Sequence, residues 1–228
     1  MALTALLVSV PIARADVIFS GSDSGAGPTD PRPNSNAAAA SYDAAAPGSI
    51  ITFESTALGS FTNLTIATGV TMNGSDIAGN PQTVVNAPVG TPAALYGYNT
   101  TAGGSNFVSL FGGSLTFSFA TPIDAFGAYL TGVQLGGETI TFSDGSSESI
   151  PIPNPGSNGG VDFLGFTDFG KSISSVEINV SNDIVGVDDV RFQTASTSTP
   201  EPGSVALLAT IFVAIAVCLR IRRKTSVA

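Results

Sequence analysis

The chain has 228 residues, of which 11% are charged, and its formal net charge is −9; this length suits one domain with tails. It contains no histidine and one cysteine, which excludes histidine-dependent catalysis, histidine-bound zinc and an internal disulfide. An acidic chain with eight Lys and Arg residues also makes nucleic acid an unsuitable partner.

The first residues have the pattern of an export signal. Residues 2–12 are mostly apolar and lead into Ala13-Arg14-Ala15, the small-x-small arrangement that signal peptidase recognises. We therefore predict that 1–15 is a signal peptide, with Ala13 and Ala15 as the small residues at the cleavage site. The alternative is that this apolar run is a buried N-terminal strand.

The segment 16–47 is rich in Gly, Ser, Pro, Asn and Ala. This composition predicts either a flexible leader or an edge strand followed by a loop. No segment before the C-terminal tail shows a long helical period bounded by caps, so no helix is expected in the body of the protein.

Residues 48–194 have the pattern of an all-β domain. In Ser114–Phe119 the apolar residues alternate with serine and threonine, as on a strand with one buried face. Asp144-Gly145 predicts a tight hairpin turn. About ten short strands separated by Gly and Pro favour an antiparallel β-sandwich of jelly-roll type, with an up-and-down barrel as the alternative. The predicted strands are Ile50–Glu54, Asn63–Ala67, Gln82–Val85, Asn106–Leu110, Ser114–Phe119, Ala125–Leu130, Thr139–Phe142, Glu148–Ile152, Asp162–Phe166, Ser175–Val180 and Val187–Phe192.

The C-terminal end has three parts. A linker at 195–204 precedes the apolar run 205–219, which Thr210 alone interrupts, and a basic segment at 220–228 follows. This run is short for a bilayer, which takes about twenty residues, but Gly203, Ser204 and snorkelling arginines extend it. We predict a single transmembrane helix with a cytoplasmic tail. The basic residues that stop transfer are Arg220, Arg222, Arg223 and Lys224.

Pro200-Glu201-Pro202, the apolar run and the basic end together resemble the PEP-CTERM sorting signal of bacterial surface proteins. The resemblance covers about the last thirty residues. It implies recognition by an exosortase-type membrane enzyme, processing of the tail, and release to the cell surface or extracellular matrix. Pro200, Glu201 and Pro202 would then be substrate residues rather than catalytic ones.

The segment Val187–Phe192 places two aspartates inside a predicted strand. Strict alternation puts Asp188 on the same, core-facing side as Val190 and Phe192, and turns Asp189 and Arg191 outward. A buried carboxylate needs hydrogen bonds, an ion pair or a metal ion. Two interpretations follow: Asp188 accepts hydrogen bonds from nearby N–H groups or pairs with Arg191 or Lys171, or it binds a cation.

The same segment resembles, less specifically, the last strand of calcium-binding jelly-roll modules, many of which bind carbohydrate. That resemblance implies that an acidic residue on the first strand joins the aspartate on the last one around a structural Ca²⁺. The candidates here are Glu54 and Asp188, with Asp183 or Asn182 adding an oxygen. No cofactor other than this ion is predicted.

Three functions are compatible with these patterns. The first is a non-enzymatic, surface-sorted protein with a structural, adhesive or glycan-binding role in extracellular matrix, whose ligand is a polysaccharide. The second is a secreted hydrolase, such as a glycosidase that uses two carboxylates. The third is a binding domain that stays anchored in the membrane because its tail is never cut.

Overall fold

The computed structural model describes residues 17–151, 158–167 and 172–195. These residues form a curled, mostly antiparallel sheet of eleven strands, which confirms the all-β prediction. The strands are β1 (Val17–Ser24), β2 (Ser49–Ile51), β3 (Gly59–Phe61), β4 (Asn63–Ala67), β5 (Val70–Ser75), β6 (Gln82–Val85), β7 (Phe107–Thr131), β8 (Thr139–Phe142), β9 (Ser147–Ser149), β10 (Gly160–Thr167) and β11 (Ile173–Thr194). The helices are α1 (Pro33–Ala45) and α2 (Ala93–Tyr96).

The sheet curls because two long strands, β7 and β11, each belong to two parts of it. Val187 on β11 pairs both with Val108, near the start of β7, and with Leu130, near its end. Strands β5 and β6 pair with the first half of β7, and β10 pairs with the second half. The rings of Phe142 on β8 and Phe166 on β10 lie 5.0 Å apart, so strands that are distant in the sheet order face each other across the core.

The main core lies inside this curl and follows the predicted alternation. Leu115 and Phe117 are fully buried and Phe119 nearly so, whereas the alternating polar residues Ser114, Thr116 and Ser118 are partly exposed. The Asp144-Gly145 turn joins β8 to β9 as predicted, and Asp144 accepts a hydrogen bond from the Ser146 N–H at 2.9 Å. Burial of large apolar side chains on one face of each strand supplies the main stabilisation of such a sheet.

The segment 16–47 includes β1, which pairs with β10 alone among the described residues and so lies at the edge of the sheet. It also contains α1, which the sequence did not predict. The helix packs a second, smaller core against the outer face of β7 and β10, where Tyr42 contacts Phe163 at 5.7 Å between ring centroids. Its buried residues are Ser35, Ala38, Ala39 and Tyr42.

Several predictions concern residues outside the described part of the chain. In the described residues, no helix combines the length and the apolar character needed to cross a membrane. The predictions that lie elsewhere are the cleavage site at Ala13 and Ala15, the motif Pro200, Glu201 and Pro202, the apolar run 205–219, and the basic residues Arg220, Arg222, Arg223 and Lys224.

Candidate functional site

A loop between α2 and β7 folds over the buried carboxylate of Asp188. Oδ2 of Asp188 accepts hydrogen bonds from the Thr100 N–H at 2.6 Å and the Thr101 N–H at 3.1 Å, and from the Thr100 hydroxyl at 3.0 Å. Burial and the charge of Asp189 raise the pKa of Asp188 to about 7, against the lowering effect of the bonds from Thr100. The N–H-capping interpretation of Asp188 is therefore confirmed.

Asp189 adopts a left-handed backbone conformation, with φ of 47°, which is uncommon for a residue other than glycine. Its carboxylate accepts a hydrogen bond from the Thr101 hydroxyl at 2.7 Å, and it shares with Asp188 the single hydroxyl proton of Thr100, whose oxygen lies 3.1 Å away. The two aspartates thus converge on one loop, although consecutive residues of a regular strand point to opposite faces.

The predicted orientation of Asp188 is wrong because Asp189, the next residue, is left-handed. Val187 lies opposite Leu130 in the main core, and Asp188 lies opposite Tyr129 in the smaller core beneath α1. The strand register breaks between Asp188 and Arg191. Val190 nevertheless returns to the main core, so Asp188 does not share its face as strict alternation predicted.

The other end of the same loop is held by Glu54. Its Oε1 accepts hydrogen bonds from the Asn99 side-chain amide at 2.7 Å and from the N–H groups of Ser105 and Asn106 at 3.0 and 3.1 Å. A Cβ added to Gly104 would overlap this carboxylate, so the loop fits closely around it. Glu54 and Asp188 therefore fix the two ends of one loop.

Two arginines complete the layer under the loop. Arg32 donates to the Thr100 carbonyl at 2.6 Å. Arg191 forms an ion pair with Asp43 of α1 at 3.0 Å, and its guanidinium lies 5.2 Å from the centre of the Tyr129 ring. Such cation–π contacts stabilise a partly buried arginine. These charged groups link the helix, the strand and the loop, and Arg191 pairs with Asp43 rather than with Asp188, its proposed partner.

A cleft of about 330 Å³ opens between this loop, the segment before α1 and the segment after β6. Tyr98 contributes to its floor, is 1% exposed and donates its hydroxyl to the Ala26 carbonyl at 2.6 Å. This burial agrees with a core role for one of the two tyrosines around Gly97. The residues that line the cleft are Pro28, Arg32, Asn86, Pro88, Tyr98, Asn99, Thr100, Thr101, Ala102, Gly103, Gly104, Ser105 and Phe107.

The predicted calcium ligands do not form one group. Glu54 and Asp188 both accept N–H groups of the loop at 99–106, whereas Asp183 accepts those of Gln134 at 2.7 Å and Leu135 at 3.0 Å in another loop. Within the described ranges, no three acidic or sulfur side chains are grouped as a metal site would require. Oxygen ligands, not N–H donors, coordinate Ca²⁺. Lys171, the other proposed partner of Asp188, lies outside those ranges.

Thr100, Thr101 and Arg32 are the site residues that sequence reasoning missed. Threonines in a Gly- and Asn-rich segment carry no motif, and their role depends on a strand 88 residues away in the chain. The sequence offered one signal for the position of Arg32. It precedes Pro33, and proline is favoured at the first position of a helix, so Arg32 could have been predicted to lie at a helix N-terminus.

Comparison with known proteins gives structural neighbours only. No family model matches the chain, and no curated protein matches it. One neighbour is the catalytic unit of a thermostable GH87 α-1,3-glucanase from Streptomyces thermodiastaticus, with 15% identity, a TM-score of 0.31, and coverage of 59% of this chain and 28% of that one. Another is TmCBM61, solved with β-1,4-galactotriose, with 14% identity, a TM-score of 0.28, and coverage of 64% and 95% respectively.

Proposed function

We propose that this protein is exported, sorted to the cell surface through its C-terminal tail, and binds a neutral polysaccharide of the extracellular matrix in the cleft beside the 99–106 loop. It acts as a non-enzymatic, structural or adhesive component. Its body is a β-sandwich of jelly-roll type. Its processing partners are signal peptidase at Ala13-Arg14-Ala15 and an exosortase-type enzyme at Pro200-Glu201-Pro202.

The composition of the cleft supports a sugar ligand. Asn86 and Ser105 bring an amide and a hydroxyl group to the cleft, together with main-chain groups of the glycine-containing loop. Such groups donate and accept hydrogen bonds without charge, as sugar hydroxyls require. Because Glu54 and Asp188 fix both ends of the loop, the binding groups are positioned before a ligand arrives, which lowers the entropic cost of binding.

The observation that favours binding over hydrolysis is the absence of a carboxylate among the described residues lining the cleft. Glycosidases of the usual type place two carboxyl groups on either side of the scissile bond. Asp188 and Asp189 lie beneath the loop and are hydrogen-bonded to Thr100 and Thr101. A secreted hydrolase therefore remains the weaker proposal.

A bulky residue in the cleft gives the direct test. We expect the full-length protein to retain neutral glycans on a glycan array, and Ala102→Trp, a substitution at an exposed position of the cleft, to reduce binding at least about tenfold because the indole occupies the ligand volume. Ala78→Trp, at an exposed turn outside the cleft, is the matched control.

Three results would contradict parts of the proposal. Equal binding by Ala102→Trp and Ala78→Trp would place the ligand elsewhere. Release of reducing sugar from any glycan that the wild-type protein retains would favour the hydrolase instead. Detection of the intact, full-length chain in the membrane fraction alone would support the permanently anchored alternative.

A further inference from the structure

Strand β1 presents a long, regular edge of the sheet. Among the described residues it pairs with β10 alone, in an unbroken register from Val17 opposite Thr167 to Ser24 opposite Gly160. The other strands with a single neighbour, β2, β3, β4 and β9, are three to five residues long, whereas β1 has eight. Proteins usually protect such an edge with lysine, proline or a bulge, because it can pair with another strand. None of these protections occurs in β1.

The main-chain groups of β1 alternate between β10 and the outer side of the edge. In an antiparallel pair, every second residue directs both its N–H and its C=O toward the partner strand. The Gly25 N–H, which continues the register of β1, donates to the Gly159 carbonyl at 3.0 Å. The odd-numbered residues therefore face β10, and Ile18, Ser20 and Ser22 direct their main-chain groups outward.

A groove of about 490 Å³ lies between β1 and α1. The Asn34 side-chain amide, which belongs to this groove, donates to the Ser22 carbonyl at 3.2 Å. This bond agrees with an outward direction of that carbonyl. The lining residues include no charged and no large side chain, so a further strand has room beside the edge. They are Ser20, Gly21, Ser22, Asn34, Ala37, Ala38 and Ser41.

The occupant that this edge fits best is the same strand of a second copy of the chain. Val17 and Ile18 are 44% and 46% exposed, and a partner strand would cover them. Residues 17–22 carry no charge, so the net charge of −9 does not oppose contact between two copies at this strand. After the predicted cleavage behind Ala15, one residue precedes Val17, which is too little chain to fold back over the edge. This last step rests on the proposed export.

We propose that two copies of the exported chain pair through β1, antiparallel and about a two-fold axis. The outward main-chain groups of Ile18, Ser20 and Ser22 then bond to those of the other copy, and the two sheets become one continuous sheet. A two-fold contact is self-complementary, so one strand supplies donors and acceptors to both sides. The dimer carries two copies of the cleft and so increases avidity for a polymeric ligand, but the pairing itself requires no glycan.

Sedimentation equilibrium tests the proposal on the protein recovered from the extracellular fraction or, in non-ionic detergent, from the membrane fraction. We expect a reversible monomer–dimer equilibrium with a Kd on the order of micromolar. Ser20→Pro should raise this Kd at least about tenfold, because proline lacks the outward N–H. The fold should survive, since proline is tolerated where the N–H of an edge strand faces outward. Ser20→Thr, which keeps the N–H, is the matched control and should dimerise as the wild type does.

Amide hydrogen exchange locates the contact. A higher protein concentration should slow exchange in residues 17–22 and leave β4, another edge strand, unchanged. If Ser20→Pro does not fold, Ser20→Lys carries the same test, because its charge repels the same charge on the other copy.

A wild-type protein that stays monomeric at about 100 µM, in whichever form it is recovered, overturns the proposal. Dimers that both Ser20→Pro and Ser20→Lys leave intact also overturn it. Intact-mass spectrometry of the same sample reports processing separately. An uncleaved chain that dimerises through β1 contradicts the proposed export alone, and a processed chain that stays monomeric contradicts the β1 pairing alone.

Discussion

Asp162 is a single residue whose environment predicts a pH-dependent stability. It is fully buried on β10, and its Oδ1 accepts a hydrogen bond from the Ser22 hydroxyl. Oδ2 has no partner among the described residues. Burial raises the pKa of Asp162 from 3.8 to about 7, so the folded state resists ionisation of this carboxyl group.

The sign of the effect follows from linkage. A raised pKa in the folded state means that the unfolded chain ionises first, so the free energy of unfolding falls as the pH rises from about 4 to about 7 and stays low above that. The slope reaches at most about 1.4 kcal/mol per pH unit for each such group. Asp162→Asn should reduce the fall, and the remainder should come from other buried acids with raised pKa values, Asp188 and Glu138.

Urea denaturation at pH 5 and pH 8 measures this prediction. The wild-type protein should be more stable at pH 5, and Asp162→Asn should narrow the difference between the two values. Glu148→Gln, at an exposed position, serves as the control. If the free energy of unfolding changes between pH 5 and pH 8 by the same amount in the wild type and in Asp162→Asn, Asp162 ionises freely in the folded protein.

At the residue scale, the structure brings Glu54 and Asp188, two of the predicted calcium ligands, to one loop, but it does not show the predicted orientation of Asp188. Asp188 and Glu54 both belong to the site, and Asp188 is capped by N–H groups as one interpretation proposed. Its orientation was wrong because alternation assumes a regular strand. A single left-handed residue, Asp189, shifts the pattern, and an aspartate in that conformation has no distinctive sequence signal.

At the element scale, the N-terminus of α1 depends on a residue of another strand. The helix has no side-chain cap of its own. Asp23 on β1 instead accepts the Asn34 N–H at 3.1 Å and the Ser35 N–H at 2.8 Å, satisfying two of the helix's free N–H groups. These bonds lower the pKa of Asp23 although burial opposes them.

Loss of this cap should destabilise the protein. We expect Asp23→Ala to lower the free energy of unfolding by about 1–2 kcal/mol, the usual cost of removing a helix cap. Chemical denaturation monitored by circular dichroism measures it. Asp30→Ala, which removes an exposed carboxylate that bonds the Gly27 N–H, is the control; equal losses in the two variants would show that the capping geometry contributes nothing specific.

Many of the strands were predictable from alternation and turn residues, and the helix was not. Strands β4, β6 and β8 match their predicted bounds. Helix α1 buries mainly alanines and one tyrosine, so its apolar face is too weak to produce a helical period, and its cap comes from elsewhere in the chain. Strand β5 was missed because it contains Asn73 and Gly74, which are unfavourable in strands.

At the scale of the whole molecule, the distribution of charge separates the body from the tail. Four of the eight Lys and Arg residues lie at positions 220–224. In the described body the cations are Arg32 and Arg191, both beneath or beside α1. In the described body, the two arginines therefore lie close to α1. The prediction of export and sorting rests on the sequence of the two ends.

Intact-mass spectrometry of the protein recovered from the cell surface and extracellular fraction tests that account most directly. We expect a mature chain that begins after Ala15 and ends near Pro200-Glu201-Pro202, without the apolar run 205–219 and the basic end. A chain that retains both ends and is recovered only from the cytosol would contradict the account.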